Sequence, residues 1–319
     1  MAHGFFERFL RGRVRLSPEE ASLSRRKFAG GSARARERLE GIGRTFIHGY
    51  NEALRSADIA ALAPRLEIVA PVDRGFACEG AAMALTLLDL LVPAKQSRLE
   101  ELLEGPGRRH VHLVHVGAGW ALARLRRGER DIPRRLDPLL RWLALDGYGF
   151  HDGYFAPRKA FGEQHQPGRL AGYARRAYDQ GLGRSLWFAS VADVRRVAET
   201  VARFPEGRRA DLWSGIGLAA TYAGGAIEAD FPLLSQLAGP YTPHLAQGAA
   251  FAAKAREASG PPDEHTERAC LLFCRCTVAE AAHLTDAEQT GLAAEGDQPD
   301  FEIWRRRVRG RFTGGITAS

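Results

Sequence analysis

The sequence predicts an all-α protein of about seven tandem helical-hairpin repeats, stacked as an open α-solenoid or closed into an α/α toroid. Two observations predict it: a short glycine phrase that recurs at a near-constant step, and helix start and stop signals between the copies. The phrase is a polar residue, Gly, any residue, Gly or Ala, and then a small residue four positions after the first Gly. Its first glycines are Gly41, Gly80, Gly117, Gly147, Gly181, Gly215 and Gly248, and successive subtraction gives steps of 39, 37, 30, 34, 34 and 33 residues. A period in the middle thirties is the length of two helices and two turns. Glycine inside a helix costs about 1 kcal/mol against alanine, so its recurrence needs a return. Small residues four apart lie on one helix face and let a neighbouring backbone come close.

Each phrase is followed by a second helical stretch. Ser190-Val191-Ala192-Asp193 precedes the run Val194 to Phe204, Thr277-Val278-Ala279-Glu280 reads as a capping box, and Ser17-Pro18-Glu19-Glu20 sets proline at a first helical position. Gly105-Pro106-Gly107, Gly239-Pro240 and Gly260-Pro261-Pro262 fall between units, where turns are needed. Val111 to Val116 alternates like a strand, but its place before Gly117 assigns it to a helix. The organisation expected is one helical-repeat domain over 1–319, with a cap at 1–38, repeats at 39–285 and a tail at 286–319.

Composition narrows the function classes. An apolar share of 45% with 26% charged residues provides a core and argues against disorder. The longest apolar run, Ala81 to Pro93, carries Asp89 and is shorter than the roughly 20 residues that span a bilayer. The segment Phe5 to Arg13 lacks the features of a secretory signal, which points to the cytoplasm. Being basic and aromatic, it either docks on the first repeat or touches a membrane surface. The net charge of +7 favours acidic partners. The arginines are nevertheless scattered, apart from Arg305 to Arg311, and no nucleic-acid motif accompanies them, so nucleic acid is not an expected partner.

Cys78, Cys270, Cys274 and Cys276 form no disulfide framework and no zinc-ligand spacing, and His110, His112 and His115 have no acidic or cysteine partner at ligand spacing. Neither a metal nor another cofactor is expected. The glycine phrases end without the Gly-Lys-Ser/Thr of a phosphate loop, and no nucleophile elbow or zinc-protease motif is present.

The residue before each first glycine is polar in six of seven copies, with Val116 the exception. Such a stripe points into a groove or forms a hydrogen-bonded ladder between neighbouring units. Four positions on, the same helix face carries Arg44, Met83, Trp120, Phe150, Arg184, Leu218 and Phe251. One copy departs from its siblings, because His151 stands where the others carry a small residue, beside Asp152 and close to Asp146. An imidazole replacing a packing residue marks a specialised repeat, unless it is a buried histidine satisfied by its neighbours. The following repeat adds Asp179, Gln180, Arg184 and Trp187. These two repeats are the first choice for a site.

Four stretches, Arg74 to Ala82, Trp142 to His151, Asp179 to Arg184 and Pro243 to Phe251, resemble the UnbL-like family encoded beside enediyne polyketide synthases, and the likeness runs from about Leu16 to Trp304. The resemblance implies a role in maturing the polyene made by the synthase into an enediyne core, and it supplies no catalytic residues. Two functions of different class follow. One is an accessory protein that shields the polyene or binds the synthase or another biosynthetic protein. The other is an enzyme acting on the polyene in a central cavity, with Asp146, His151, Asp152 or Asp179 moving protons. In that cavity Glu79, Trp120, Phe150, Tyr154, Gln180, Arg184, Trp187, Trp213 and Gln247 would contact the substrate.

Overall fold

The computed structural model describes residues 10–92, 96–293, 295–296 and 298–313. Among them the secondary structure is helical, with no strand beyond one isolated bridge, Glu295 to Gln298. No described helix is long and apolar enough to cross a membrane. Phe5 to Phe9, the aromatic part of the proposed membrane-touching segment, lie outside the described residues. Arg11, from the same segment, donates to the carbonyls of Ala53, Leu54 and Ser56 at the carboxyl end of the first helix, where carbonyls lack intrahelical partners.

The glycine phrases lie on seven helices: α1 (Ala33–Arg55), α3 (Pro71–Leu91), α5 (Val111–Arg124), α6 (Leu143–Phe155), α7 (Tyr173–Ala189), α9 (Glu206–Tyr222) and α11 (Thr242–Ser259). Each packs on the next in that order, and α13 (Val278–Ala287) continues the series. Shorter helices intervene at α2 (Ile59–Glu67), α4 (Arg98–Glu104), α8 (Val194–Ala202), α10 (Asp230–Ala238) and α12 (Glu264–Phe273), and α14 (Asp300–Gly310) closes the described chain. Two units depart from the expected hairpin. Between α5 and α6 stand only the 3-10 turns Glu129–Asp131 and Leu140–Trp142, and between α6 and α7 a single π-helical turn, Arg158–Gly162.

Local signals explain the boundaries. Ser32 caps α1 by accepting from the Ala35 N–H at 3.1 Å, and Thr277 and Glu280 form the reciprocal capping box of α13. Asp193 rather than Ser190 caps α8, because Val191 and Ala192 turn through positive φ before it. Ser17-Pro18-Glu19-Glu20 starts no α-helix and stops at one 3-10 turn, Pro18–Ala21.

Glycine sets the spacing of the series. A Cβ on Gly117, Gly147, Gly181, Gly215 or Gly248 would overlap the carbonyl oxygen of Glu79, Val116, Asp146, Gln180 or Ser214 respectively. Each of those carbonyls belongs to the residue before the first glycine of the preceding unit, so one contact repeats down the array. The second glycines do the same in the other direction, with Gly119 on Ala144, Gly149 on Tyr178, Gly183 on Leu212 and Gly217 on Leu245. This pattern corrects the first copy. Gly41 and Gly43 meet no neighbouring glycine helix, whereas Gly49 abuts the Ala77 carbonyl and Gly80 abuts that of Phe46. The first unit is therefore centred on Ile47 and Gly49, and its stripe position is Phe46 rather than Glu40. Counted from position 47, the step to Gly80 becomes 33 residues in place of 39.

The series curls on itself. Arg38 of α1 donates to the Ala223 carbonyl just past α9 at 3.0 Å, and Arg256 of α11 donates to the carbonyls of Val72 in α3 and Tyr222 in α9.

Candidate functional site

Cavity-facing side chains recur four residues before the first glycine, at Phe76, Leu113 and Leu143, and three and seven residues after it, the spacing of one helical stripe. The site grows from this pattern. Trp120, Phe150, Arg184 and Leu218, at the third position after the glycine, line one apolar cavity of about 50 Å³ together with Tyr154, Phe188 and Tyr222 at the seventh. Phe46, Phe76 and Glu79 complete its α1 and α3 walls, and Leu16, Glu20 and Ala21 cover it. That is room for several waters, since one needs about 10–15 Å³. A second cavity of about 30 Å³ is lined by Val116, Leu143, Phe251 and the α14 residues Phe301 and Trp304. Arg184, Leu218 and Tyr222 border both.

Aromatic rings fill most of the first wall. Trp120 stands 4.5 Å from Phe46 and 5.1 Å from Phe150 between ring centroids, and Phe150 meets Phe188 at 5.1 Å. Quadrupole contacts of this kind favour offset or edge-on rings and hold them in place.

The polar stripe divides into two parts. From α6 onward it is a ladder. Gln180 Nε2 donates to Asp146 Oδ2 at 2.8 Å, and Ser214 Oγ lies 3.2 Å from Gln180 Oε1 and 3.0 Å from Gln247 Oε1. Arg305 Nε reaches the same Gln247 oxygen at 3.3 Å. Arg184 also donates to Asp146 Oδ1 and lies over the Phe150 ring, making a buried ion pair at the cavity wall. Val116 interrupts the ladder, and Phe46 occupies the stripe position on the other side of Glu79. The Glu79 carboxylate is therefore flanked by apolar residues, only 3% exposed, and accepts the Trp120 indole N–H at 3.0 Å. Burial pushes its pKa up to about 7, against the lowering by Arg184 and the Trp120 bond and helped by the charge of Asp146.

Of the sequence candidates, Glu79, Trp120, Phe150, Tyr154 and Arg184 come together at the first cavity. Asp146, Gln180 and Gln247 lie behind them in the ladder. His151 Nδ1 is 3.2 Å from Asp152 Oδ1, Asp152 Oδ2 accepts the Tyr178 hydroxyl at 3.2 Å, and the imidazole packs on Trp120 and Phe155. This pair adjoins the aromatic wall without being among the lining residues. Asp179 is held elsewhere, by Arg208 Nε and Gln166 Nε2 at 2.9 Å each, and burial still raises its pKa against those partners. Trp187 donates to the Gly224 carbonyl at 2.8 Å, and neither it nor Trp213 lines either of the two cavities described. His115 spends both ring nitrogens on backbone, Nδ1–H donating to Val111 at 2.7 Å and Nε2 accepting the Asp137 N–H at 3.0 Å.

Sequence reasoning missed Phe46, Phe76, Phe188 and Tyr222. The signal was present, because Tyr154, Phe188 and Tyr222 occupy one repeat position, seven residues after Gly147, Gly181 and Gly215.

The sequence family described as "Protein of unknown function (DUF1702)" matches residues 6–312, so the chain belongs to that family. No curated protein and no solved structure matches the chain.

Proposed function

We propose that this DUF1702 member is an accessory protein of enediyne polyketide biosynthesis that receives the polyene product of the synthase between its glycine helices, in the cytoplasm, and shields it during core maturation. In this reading the tandem units form a closed α/α ring, with the curled contacts among α1, α3, α9 and α11 in support. The observation that carries the reading is the central apolar cavity walled by Phe46, Phe76, Trp120, Phe150 and Phe188. Apolar, aromatic-lined cavities with a few convergent polar groups are the usual form of a small-molecule site. At about 50 Å³ the space accepts only a slender segment as it stands, so a long polyene enters by displacing Leu16 to Ala21 or the Leu218 and Tyr222 side chains.

trans-Parinaric acid, a linear conjugated tetraene that fluoresces in apolar surroundings, tests binding. Saturable enhancement is expected, and Ala219→Phe, which fills the cavity wall, should remove it; a non-saturable signal with the unmodified protein overturns the reading. Coincubation with the synthase tests the pathway role, which fails if the lifetime and fate of the polyene are unchanged by the protein.

The buried carboxyl of Glu79 favours the second reading, an enzyme of core formation. Should His151→Ala and Asp179→Asn proteins stay folded and support core formation as well as the parent, those two residues leave the enzyme reading.

A further inference from the structure

We infer that the first cavity is a proton-transfer site, in which Glu79 is the acid–base group and the Tyr222 hydroxyl holds the carbonyl oxygen of an apolar unsaturated ketone whose carbon–carbon double bond is shifted. The inference rests on the proposed reading of this cavity as a binding site for apolar molecules, and it replaces the acid–base residues suggested by the sequence.

Three observations converge. First, Glu79 is the carboxylate that the ladder leaves out. Asp146 has Arg184 and Gln180, whereas Glu79 faces Phe46 of α1, Trp120 of α5, the Asp146–Arg184 pair of α6 and α7, and the cavity. The one nearby guanidinium is thus shared with a second carboxylate. A carboxyl that exchanges its proton near neutrality is suited to serve as both base and acid in one turnover.

Second, Gly75 lies one helical turn before Glu79 on the same face of α3. The space its Cβ would fill is taken by the Tyr222 hydroxyl, which is buried and has no hydrogen-bond partner among the described residues. A buried phenol without a partner is unusual, and this one belongs to a side chain that lines the same cavity as Glu79.

Third, the cation that touches this phenol is committed to backbone: Arg256 lies 3.8 Å from the Tyr222 ring centroid and donates to the carbonyls of Val72 and Tyr222. His110 Nδ1, 3.5 Å from the same Cβ position and likewise without a partner, belongs to an imidazole kept neutral. Burial, followed by Arg74, Arg256 and Arg109, lowers its pKa to about 4.

The chemistry balances within the substrate and two side chains. The Glu79 carboxylate takes a proton from the carbon between the carbonyl and the alkene. The C–H electron pair becomes a dienolate, whose oxygen accepts the Tyr222 O–H. The Glu79 carboxylic acid then returns the proton to the far end of the alkene, giving the conjugated ketone with no change in oxidation state.

The probe is 4-penten-2-one, a slender β,γ-unsaturated ketone whose conversion to 3-penten-2-one is read by ultraviolet absorbance, with binding read separately by saturation-transfer NMR. Glu79→Gln is expected to bind the probe as the parent does and to slow isomerisation by about 10²- to 10⁴-fold. Tyr222→Phe should slow it by roughly 10²-fold. In the unmodified protein, a readout that needs no variant, the rate should rise with pH and level off above about 7. Isomerisation no faster than with Glu79→Gln, or a rate flat across that pH range, overturns the inference while leaving the binding reading in place. A probe that the unmodified protein does not bind counts against both.

Discussion

Glu79 owes its carboxyl chemistry to what its two stripe neighbours lack. Had Val116 been an amide or a hydroxyl, the ladder would have continued to α3 and supplied a partner, as Gln180 does for Asp146. The consequence for stability has a definite sign. An unfolded chain releases this proton near 4.5 and the folded one near 7, so between those values the folded state carries more protons. Stability attributable to Glu79 therefore falls as pH rises through the window, and the full cost, on the order of 3 kcal/mol, is present above about 7. Glu79→Gln removes that titration. Its stability relative to the parent should rise between pH 4.5 and pH 8, measured by urea unfolding at both; a gap that does not change with pH refutes the account. Glu79 and the Val116 exception were both legible in the sequence. Their joint meaning was not, because the phrase Glu40-Gly41-Ile42-Gly43 sets the first copy on Glu40 and hides the apolar Phe46 beside Glu79. Tyr222 escaped because its repeat position is mixed, carrying Leu87, Arg124 and Ala255 in other units beside the aromatic Tyr154 and Phe188.

Among the elements, the glycine helices were the most legible part of the fold, and the reason is steric. A contact between a Cα and a facing carbonyl leaves no room for a side chain, so it must be written as glycine wherever it recurs. The outer helices leave a weaker trace. The segments from Leu125 to Trp142 and from Ala156 to Gly172 are as long as those that hold a helix elsewhere, yet they carry prolines and isolated turns. The glycine contacts predict an asymmetry. Gly181→Ala forces a methyl into the Asp146 carbonyl and should cost more than the 1–3 kcal/mol typical of overpacking. Gly41→Ala meets only the end of the flexible Arg44 side chain and should be neutral or stabilising by about 0.5–1 kcal/mol. Thermal denaturation of both variants decides the matter, and equal losses would refute the corrected register.

For the whole molecule, segments far apart in sequence meet over one interior: Leu16 to Ala21 cover the first cavity, and Phe301 and Trp304 of α14 cover the second. α14 is fastened by charge. Fully buried Arg305 reaches Asp211 Oδ1 at 2.9 Å, Tyr173 at 3.1 Å and Glu302 Oε2 at 3.2 Å, tying α14 to α7 and α9. Burial alone would raise the Glu302 pKa, but Arg305, Arg309 and Arg176 outweigh it and hold it at about 2. Removing one member of such a network strands the others, so Arg305→Met should lose about 3–5 kcal/mol in chemical denaturation. A loss below about 1 kcal/mol would mean that apolar packing of Phe301 and Trp304 alone secures this helix. The sequence showed the Arg305 to Arg311 cluster but not this role, because the partners that tie it across the molecule, Asp211 and Tyr173, lie on α9 and α7, far away in the sequence.

The missing outer helices beside α5 and α6 have one more consequence. Along that side the glycine helices are backed by isolated turns where α8 and α10 back their neighbours elsewhere. Turns hold fewer backbone hydrogen bonds than helices, so local opening is easier on that side than along α8 and α10.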